Sequence, residues 1–252
     1  MSDQPKIELR DVVKSFGDNH VLRDVSFSVS PGESMTIIGG SGSGKSVMLK
    51  CVLGLMEVDS GRIFVDGEDV CAMSAADRER NRAKFGMLFQ GGALFDSLPV
   101  WRNVTFALTQ GRHRRGSEMR DLALENLERV GLGKDVLDLR PSELSGGMQK
   151  RVALARAIAP RPEIVFFDEP TTGLDPIRTD VINKLIVELV RDLGITALTI
   201  THDMGSVEKI SDRVAMLYEG TIIWSGPVAE LRQSGNVHVD QFVEGRADGL
   251  VA

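Results

Sequence analysis

Residues 39–46, Gly-Gly-Ser-Gly-Ser-Gly-Lys-Ser, fit the pattern G-x-x-x-x-G-K-[ST]. The apolar run before them, residues 34–38, predicts a short buried strand, and residues 46–53 have the composition of a helix. A glycine-rich turn between a strand and a helix lets successive backbone N–H groups point at one anion. A flexible glycine and serine turn is the alternative, but it does not require a lysine and a serine at its end. The chain is therefore predicted to bind a nucleotide through this loop.

The loop also supplies side chains for the outer phosphates of a nucleotide. Lys45 adds a point charge, and the Ser46 hydroxyl can ligate a Mg²⁺ ion that bridges these phosphates. The predicted nucleotide contacts of the loop and the residue after it are Gly39, Gly40, Ser41, Gly42, Ser43, Gly44, Lys45, Ser46 and Val47.

Composition argues against several classes of protein. A formal net charge of −6 and a pI near 5.3 disfavour a nucleic-acid binder, which usually has a basic surplus on one face. The basic cluster at residues 112–115 has no interleaved aromatic residues and is interpreted as a solvated loop. No apolar run approaches the ~20 residues that span a bilayer, and residues 1–6 lack the apolar core of a signal peptide. We expect a cytoplasmic chain, or one that docks on a membrane through partners.

Hydrophobic patterning divides the chain into β-rich and helical parts. Residues 7–13 and 20–29 alternate apolar and polar positions, and residues 61–70 have the pattern of a short β pair. These segments predict an antiparallel β layer on the N-terminal side. Residues 91–158 have apolar residues at helical spacing, and α/β patterning resumes at Glu163. The block 91–158 is therefore predicted to be a helical insertion in an α/β nucleotide domain.

A mostly apolar run at residues 163–167 leads directly into Asp168 and Glu169. Such a run predicts a central parallel strand, and ligands bind at the carboxyl ends of these strands. Asp168 suits the Mg²⁺ shell, and Glu169 suits the general base that activates the attacking water. An isolated acidic pair is more often surface charge, but its place after a buried strand in a phosphate-loop protein favours the functional interpretation.

Residues 144–149, Leu-Ser-Gly-Gly-Met-Gln, resemble the signature loop of ATP-binding cassette (ABC) ATPases. Further motifs match that family in its order along nearly the whole chain: Phe16 as the adenine-stacking aromatic, Gln90 in the glutamine loop, residues 173–175 as the D-loop and His202 as the switch histidine. The resemblance implies a single α/β domain over 1–252. Its fold would be a P-loop NTPase (RecA-like) core with an N-terminal antiparallel β layer and an inserted α-helical subdomain. It also implies ATP hydrolysis with Mg²⁺.

The resemblance assigns roles to single residues of this sequence. The residues that it implies for catalysis are Lys45, Gln90, Glu169 and His202. The residues that it implies for Mg²⁺ are Ser46, Gln90 and Asp168. Val47 departs from the family, which usually has threonine at this position. Because a hydroxyl contact near the inner phosphates is then missing, we expect somewhat weaker nucleotide affinity.

The signature loop precedes a predicted helix, so it offers a second anion-binding surface. The resemblance implies that Ser145, Gly146, Gly147 and Asp175 of one subunit close on the ATP held by another. Because the chain carries one set of motifs, two copies would build two composite sites in a head-to-tail homodimer.

The segment Gly-Ala-Leu-Phe at residues 92–95 resembles the ATPases of MCE-domain transporters. These include the system for maintenance of outer-membrane lipid asymmetry (Mla) and its toluene-tolerance relatives. The resemblance implies phospholipid transport between the inner and outer membranes, with the chain at the cytoplasmic face of the inner membrane. Its implied partners are an integral membrane permease, an MCE-domain protein and a small regulatory subunit. Phe89, Leu94 and Phe95 would receive a permease helix, unless they only pack the subdomain.

Two other functions remain open at this point. One is the ATPase of an ABC importer for small polar solutes, and the other is a soluble non-transport ABC ATPase of the iron–sulfur assembly type. The apolar segment at 92–95 disfavours the second.

Two apolar patterns further along the chain lead to structural predictions. Residues 176–193 predict a helix whose apolar side includes Ile177. The C-terminal tail, residues 236–252, contains Val237, Val239, Phe242 and Val243 beyond the last predicted core element. A frayed terminus is the default for such a tail. The alternative hypothesis is that the tail docks on a neighbouring subunit, because these apolar residues have no obvious core to join.

Overall fold

The structure is a computed structural model that describes residues 4–109 and 116–246. The described residues form two compact units, one from residues 4–82 and 196–246 and the other from residues 83–195. The basic cluster at residues 112–115 and the end of the tail at 247–252 lie outside the described residues.

The regular elements are numbered in chain order. The strands are β1 (Ile7–Phe16), β2 (Asn19–Val29), β3 (Ser34–Ile38), β4 (Ser60–Val65), β5 (Glu68–Asp69), β6 (Phe85–Leu88), β7 (Ile164–Asp168), β8 (Thr196–Ile200), β9 (Arg213–Tyr218) and β10 (Thr221–Pro227). The helices are α1 (Lys45–Val52), α2 (Ala75–Arg82), α3 (Val100–Val104), α4 (Gly116–Arg129), α5 (Gly146–Ile158), α6 (Pro176–Leu193), α7 (Met204–Ile210) and α8 (Val237–Glu244). Short 3-10 helices lie at Val70–Ala72, Phe106–Thr109, Lys134–Val136, Pro141–Glu143 and Val228–Gln233.

The first unit contains the antiparallel layer that the sequence predicts. Its strand order is β2-β1-β4-β5, with Ile7 opposite Val29 on one side and Val65 on the other. Gly17 takes a positive φ of 59° in the turn that joins β1 to β2. Alternate residues of β1, among them Ile7 and Leu9, are buried because a half-covered strand hides every second side chain.

The same unit contains a parallel group of strands around β3. β3 pairs in parallel with β8 and β9, and β10 pairs antiparallel with β9. All residues of β3 are buried, as predicted for a central strand. Ile37 lies opposite Ile200, so the chain leaves β3 and β8 at the same edge of the sheet. This edge places the phosphate loop, which follows β3, near the segment that follows β8.

The second unit combines a parallel strand pair with helices. β6 and β7 run in parallel, with Leu88 opposite Phe167. Between residues 91 and 158 the described part of the chain forms helices, 3-10 turns and loops, without a strand. The boundaries of a helical subdomain at 91–158 stay a prediction.

The predicted helix at residues 176–193 matches α6, but its predicted apolar side is partly wrong. The buried face of α6 contains Ile182, Ile186 and Leu189, whereas Ile177 is exposed. At 3.6 residues per turn, position 177 lies on the opposite side of the helix from position 186.

The premise of the tail hypothesis is wrong for Val239 and Val243. α8 packs against the core of its own unit, where Val239 and Val243 are buried beside Ile38, Val214 and Met216. The Asn236 side chain caps this helix by accepting hydrogen bonds from the N–H groups of residues 238 and 239, at 3.0 and 3.4 Å. The apolar residues at i and i+4 therefore have a core within the same chain.

We expect Val239→Ala to lower the free energy of unfolding of this unit by about 1 to 3 kcal/mol, because it removes methyl groups from a filled core. Val237→Ala is the matched control on the same helix, since Val237 is 62% exposed, and should change stability by less than ~0.5 kcal/mol. Urea unfolding of both variants measures the difference. Equal effects would contradict the packing of α8 on its own unit.

Candidate functional site

The phosphate loop lies between β3 and α1, and its backbone requires glycine at two positions. Gly39 and Gly44 have φ angles of 152° and 104°, a region that side chains disfavour. A Cβ on Gly39 would lie 2.2 Å from the carbonyl oxygen of Leu217, and one on Gly44 would lie 2.9 Å from that of Val21. The loop therefore presents backbone rather than side chains at these positions, as close contact with phosphate requires.

Lys45 lies beneath this loop and is only 9% exposed. Its Nζ donates hydrogen bonds to the carbonyl oxygens of Gly39 and Gly40, at 2.7 and 2.8 Å. The lysine thus brings its charge to the inner side of the turn. The ammonium group has three N–H donors and accepts no hydrogen bond. A phosphate oxygen could therefore replace one of these carbonyls as the acceptor.

The N-terminus of α1 suits an anion. Gly44 is its N-cap, and within the described structure no side chain caps this end and no acidic residue lies in its first turn. The first N–H groups of a helix are unsatisfied and carry partial positive charge. Ser46 and Val47, the next residues of this turn, are exposed and half-buried, respectively. The loop and helix fit the phosphates of a nucleotide.

Two more predicted residues lie in the first unit. Phe16 ends β1 with its ring about half exposed, and Lys14 Nζ lies 5.6 Å from the ring centroid. His202 is exposed and follows β8, at the same sheet edge as the phosphate loop. The N–H of Thr201 donates to the carbonyl of Ile37 at 3.4 Å, which joins the two segments.

The second unit brings together the predicted acidic residues and Gln90. Asp168 is the last residue of β7, and Glu169 follows it with a φ of 48°. The Thr172 hydroxyl donates to Oε2 of Glu169 at 3.0 Å, which orients the carboxylate. Gln90 follows β6, the parallel neighbour of β7, so it leaves the sheet at the same edge.

Sequence reasoning missed Lys150, which joins these segments. Its Nζ donates to the carbonyl oxygens of Gln90 and Glu169. The available signal was a lysine one turn into the helix that follows the signature loop, but its partners are distant in the sequence. Thr172 was missed as well, because a threonine shortly after an acidic pair has no distinctive pattern.

The signature loop lies beside the start of α6 in the second unit. Ser145 is the N-cap of α5, and its Oγ accepts from the N–H of Met148 at 3.4 Å. Asp175 caps α6 by accepting from the N–H of Arg178 at 3.0 Å. A Cβ on Gly147 would lie 3.4 Å from the side chain of Arg178. Two helix N-termini are therefore held near one another beside the predicted signature residues, which include the exposed Gly146.

The residues present fit a Mg²⁺ ion only together with phosphates. Among residues 4–109 and 116–246, no cluster of three or more His, Cys, Asp and Glu side chains could hold a metal ion. The predicted set of Ser46, Gln90 and Asp168 offers oxygen ligands with a single carboxylate. Mg²⁺ in nucleotide enzymes is commonly bound by one or two carboxylates plus substrate phosphates and water, so this donor set suits it.

We expect Val47→Thr to bind Mg-ATP roughly 2- to 10-fold more tightly than the parent chain, the equivalent of one neutral hydrogen bond. Val47 lies in the first turn of α1, so a threonine hydroxyl there would face the N-terminal end of the helix. Titration with a fluorescent ATP analogue measures the affinity. Val47→Ala, which adds no hydroxyl, is the control, and unchanged affinity in Val47→Thr would refute the prediction.

A family model and the related proteins identify the same family for this chain. A family model described as "ABC transporter" matches residues 22–172. Over 245 residues the chain is 39% identical to the "Probable ribonucleotide transport ATP-binding protein mkl" of Mycobacterium leprae, covering 97% of this chain and 70% of that protein. Over 249 residues it is 38% identical to the "Intermembrane phospholipid transport system ATP-binding protein MlaF" of Haemophilus influenzae, covering 99% of this chain and 94% of that protein.

A solved structure agrees with these relatives. The chain resembles an ATP-binding cassette solved as a dimer in a post-hydrolysis state bound to ADP and Pi. The TM-score is 0.79 at 30% sequence identity, and the match covers 88% of this chain and 98% of that one.

Within the described residues, none of the helices combines the length and apolar character that a membrane crossing requires.

Proposed function

The chain belongs to the ATP-binding cassette (ABC) transporter ATPases, and from this membership we propose that it hydrolyses ATP to power phospholipid transport between the inner and outer membranes. The observation that carries the phospholipid assignment is the likeness to MlaF, which extends over 99% of this chain and 94% of that protein. The match therefore includes both units and α8 as well as the nucleotide motifs.

Each predicted site residue has one role in this proposal. Phe16 stacks on adenine, the phosphate loop with Lys45 binds the phosphates, and Glu169 accepts a proton from the attacking water. His202 contacts the terminal phosphate from the edge beside the loop. Ser46, Gln90 and Asp168 would hold a Mg²⁺ ion, which would neutralise charge on the outer phosphates. The uncapped N-terminus of α1 and the buried Lys45 support these roles.

The active form is a head-to-tail homodimer. Ser145, Gly146, Gly147 and Asp175 of one subunit contact the ATP of the other, so each dimer contains two composite sites. The proximity of Gly147 to Arg178 supports this role, because Asp175 caps the helix that contains Arg178. The dimeric state of the related cassette also supports it.

A groove beside Gln90 is the docking surface for an integral membrane permease. It has a volume of about 400 Å³ and is lined by Phe85, Gly86, Met87, Phe89, Ala93, Phe95, Phe106, Ala107, Arg156, Ala157 and Pro160. Phe89 and Phe95 are each 41% exposed, which argues against the alternative that they only pack the subdomain. Arg156 donates to the carbonyls of Gly92 and Ala93, both at 2.6 Å, and so shapes the groove wall.

The other partners follow from the same likeness. We propose an MCE-domain protein and a small regulatory subunit in the complex, which would hold this chain at the cytoplasmic face of the inner membrane.

The name of the mycobacterial relative favours a second candidate, an importer ATPase for small polar solutes such as ribonucleotides. A soluble, non-transport ATPase is disfavoured by the exposed aromatic groove.

Purification of the tagged chain from its host in mild detergent tests the function. We expect mass spectrometry to detect a multi-span permease, an MCE-domain protein and bound phospholipid. A permease recovered with a soluble binder of polar solutes would support the second candidate. Recovery with soluble partners alone would refute the transport assignment.

A groove variant tests the docking surface in the same experiment. Phe95→Asp should lose the permease while the purified chain still binds ATP, because a carboxylate in the apolar groove is costly to bury. Leu55→Asp is the matched control, since Leu55 is also an exposed apolar residue but lies in the other unit. Loss of the permease from both variants, or from neither, would contradict the assignment.

A further inference from the structure

Lys150 is a buried cation whose placement the nucleotide motifs do not explain. It lies one turn into α5, the helix that begins at the signature loop, and is only 7% exposed. Lysine is rarely buried, because its ammonium group loses hydration that the protein must replace with hydrogen bonds or opposite charge. The partners of this side chain therefore indicate what its burial achieves.

The hydrogen bonds of Lys150 go to main-chain atoms. Nζ donates to the carbonyl oxygen of Gln90 in a short contact and to that of Glu169 at 3.4 Å. A lysine that only neutralised the acidic pair would contact carboxylate oxygens. By bonding two carbonyls, the side chain instead restrains the backbone at both residues.

These carbonyls belong to segments that leave the sheet side by side. Gln90 follows β6 and Glu169 follows β7, and these strands are parallel neighbours with Leu88 opposite Phe167. Glu169 has a left-handed backbone with a φ of 48°, which residues with a Cβ rarely adopt. Such a conformation persists only where surrounding contacts hold it. Lys150 and Thr172 provide two of these contacts, one to the carbonyl and one to the carboxylate.

We propose that Lys150 is a positioning residue for ATP hydrolysis, which ties the backbones of Gln90 and Glu169 to the helix that begins at the signature loop. The inference rests on the proposed function, because it takes Glu169 as the base. Lys150 does not touch the nucleotide in this proposal. It acts by holding the Glu169 carboxylate beside the position of the attacking water. It also keeps the backbone of Gln90 at a constant distance from that of Glu169.

The charges around Lys150 agree with its position between Gln90 and Glu169. Burial lowers the pKa of Lys150, and the nearby charges of Asp168 and Glu169 act in the opposite direction. The two carboxylates thus offset part of the cost of burying the ammonium group.

The test compares Lys150→Met and Lys150→Arg in the full chain. Methionine keeps the length of the side chain but cannot donate, so kcat per bound nucleotide should fall roughly 10- to 100-fold, the effect of a misplaced catalytic group. The affinity for a fluorescent ATP analogue should change less than about twofold. Arginine can still donate to both carbonyls and should restore most of kcat.

Two controls separate positioning from general damage. Arg151→Met, on the same helix and partly exposed, should leave kcat unchanged. Thermal unfolding and nucleotide stoichiometry give the folded fraction of each variant, so that kcat refers to competent sites only. If Lys150→Met does not fold, Lys150→Gln, which keeps N–H donors on a shorter side chain, should have a kcat between those of the parent chain and Glu169→Gln.

Glu169→Gln, measured in parallel, distinguishes failure of this inference from failure of the proposed function. An inactive Glu169→Gln beside a Lys150→Met variant within about twofold of the parent kcat would overturn only the role of Lys150. A loss of nucleotide affinity equal to the loss of kcat would overturn it as well. Continued turnover by Glu169→Gln would overturn the base assignment and, with it, this inference.

Discussion

Glu169→Gln should abolish steady-state ATP hydrolysis by the full chain while ATP binding is retained, and the closed dimer should accumulate with ATP. Glutamine has almost the shape of glutamate, and its amide oxygen can still accept the hydrogen bond from Thr172, which is 3.0 Å long in the parent chain. It cannot accept a proton from water at neutral pH. Because general-base catalysis contributes about 10²- to 10⁴-fold, phosphate release should fall by at least ~100-fold.

Three measurements check this prediction: phosphate release, the affinity for a fluorescent ATP analogue, and size-exclusion chromatography with and without ATP. Glu163→Gln is the control, because Glu163 lies at the other end of the strand that leads to the acidic pair. The control should keep normal turnover and should not accumulate as a dimer. Turnover by Glu169→Gln within tenfold of the parent chain would exclude Glu169 as the base.

Lys45→Met should eliminate tight ATP binding as well as hydrolysis, which distinguishes it from Glu169→Gln. The ammonium group is the cation that the phosphate loop holds on its inner side, with hydrogen bonds to Gly39 and Gly40. Removal of one preorganised charged donor typically costs 10²- to 10³-fold in rate, so kcat/KM should fall at least ~100-fold. The carbonyls left behind lose a charged donor in a mostly buried site, so the unit should also unfold more easily, by about 1 to 3 kcal/mol.

Lys50→Met is the matched control on the same helix, since Lys50 is exposed and lies in the last turn of α1. It should bind ATP normally and unfold like the parent chain. Titration with the ATP analogue and urea unfolding measure both effects. If Lys45→Met kept the affinity of the parent chain, the phosphate-loop assignment would fail, whatever the result for Glu169.

The elements that surround the proposed site could be predicted from short stretches of sequence. The buried strand before Gly39, the antiparallel pair at the N-terminus and the strand before Asp168 each depend on patterns of apolar residues within ten positions or so. Such patterns are local, and the period of a strand or helix determines which residues share a face. The phosphate loop and the signature loop could be found for the same reason.

Predictions of which surfaces pack against each other were less successful. Ile177 falls within the predicted helix but on its exposed side, because the face that packs is chosen by the neighbouring elements. The premise of the tail hypothesis failed because Val239 and Val243 meet core residues such as Ile38, which is far from them in the sequence. Local periodicity predicted an apolar face for the helix, and the tail offered only scattered apolar residues. Neither pattern identified the residues that these side chains pack against.

The sequence by itself determined the family, the phosphate-binding chemistry and the set of residues proposed for ATP hydrolysis, because each lies within a short motif. Only the tertiary structure decided that α8 packs on its own unit, that Phe89 and Phe95 remain exposed in a groove, and that Lys150 holds two carbonyls. The partners of Lys150 lie 60 and 19 residues away in the chain. Contacts of this kind form when strands and helices pack, and no pattern of neighbouring residues encodes them.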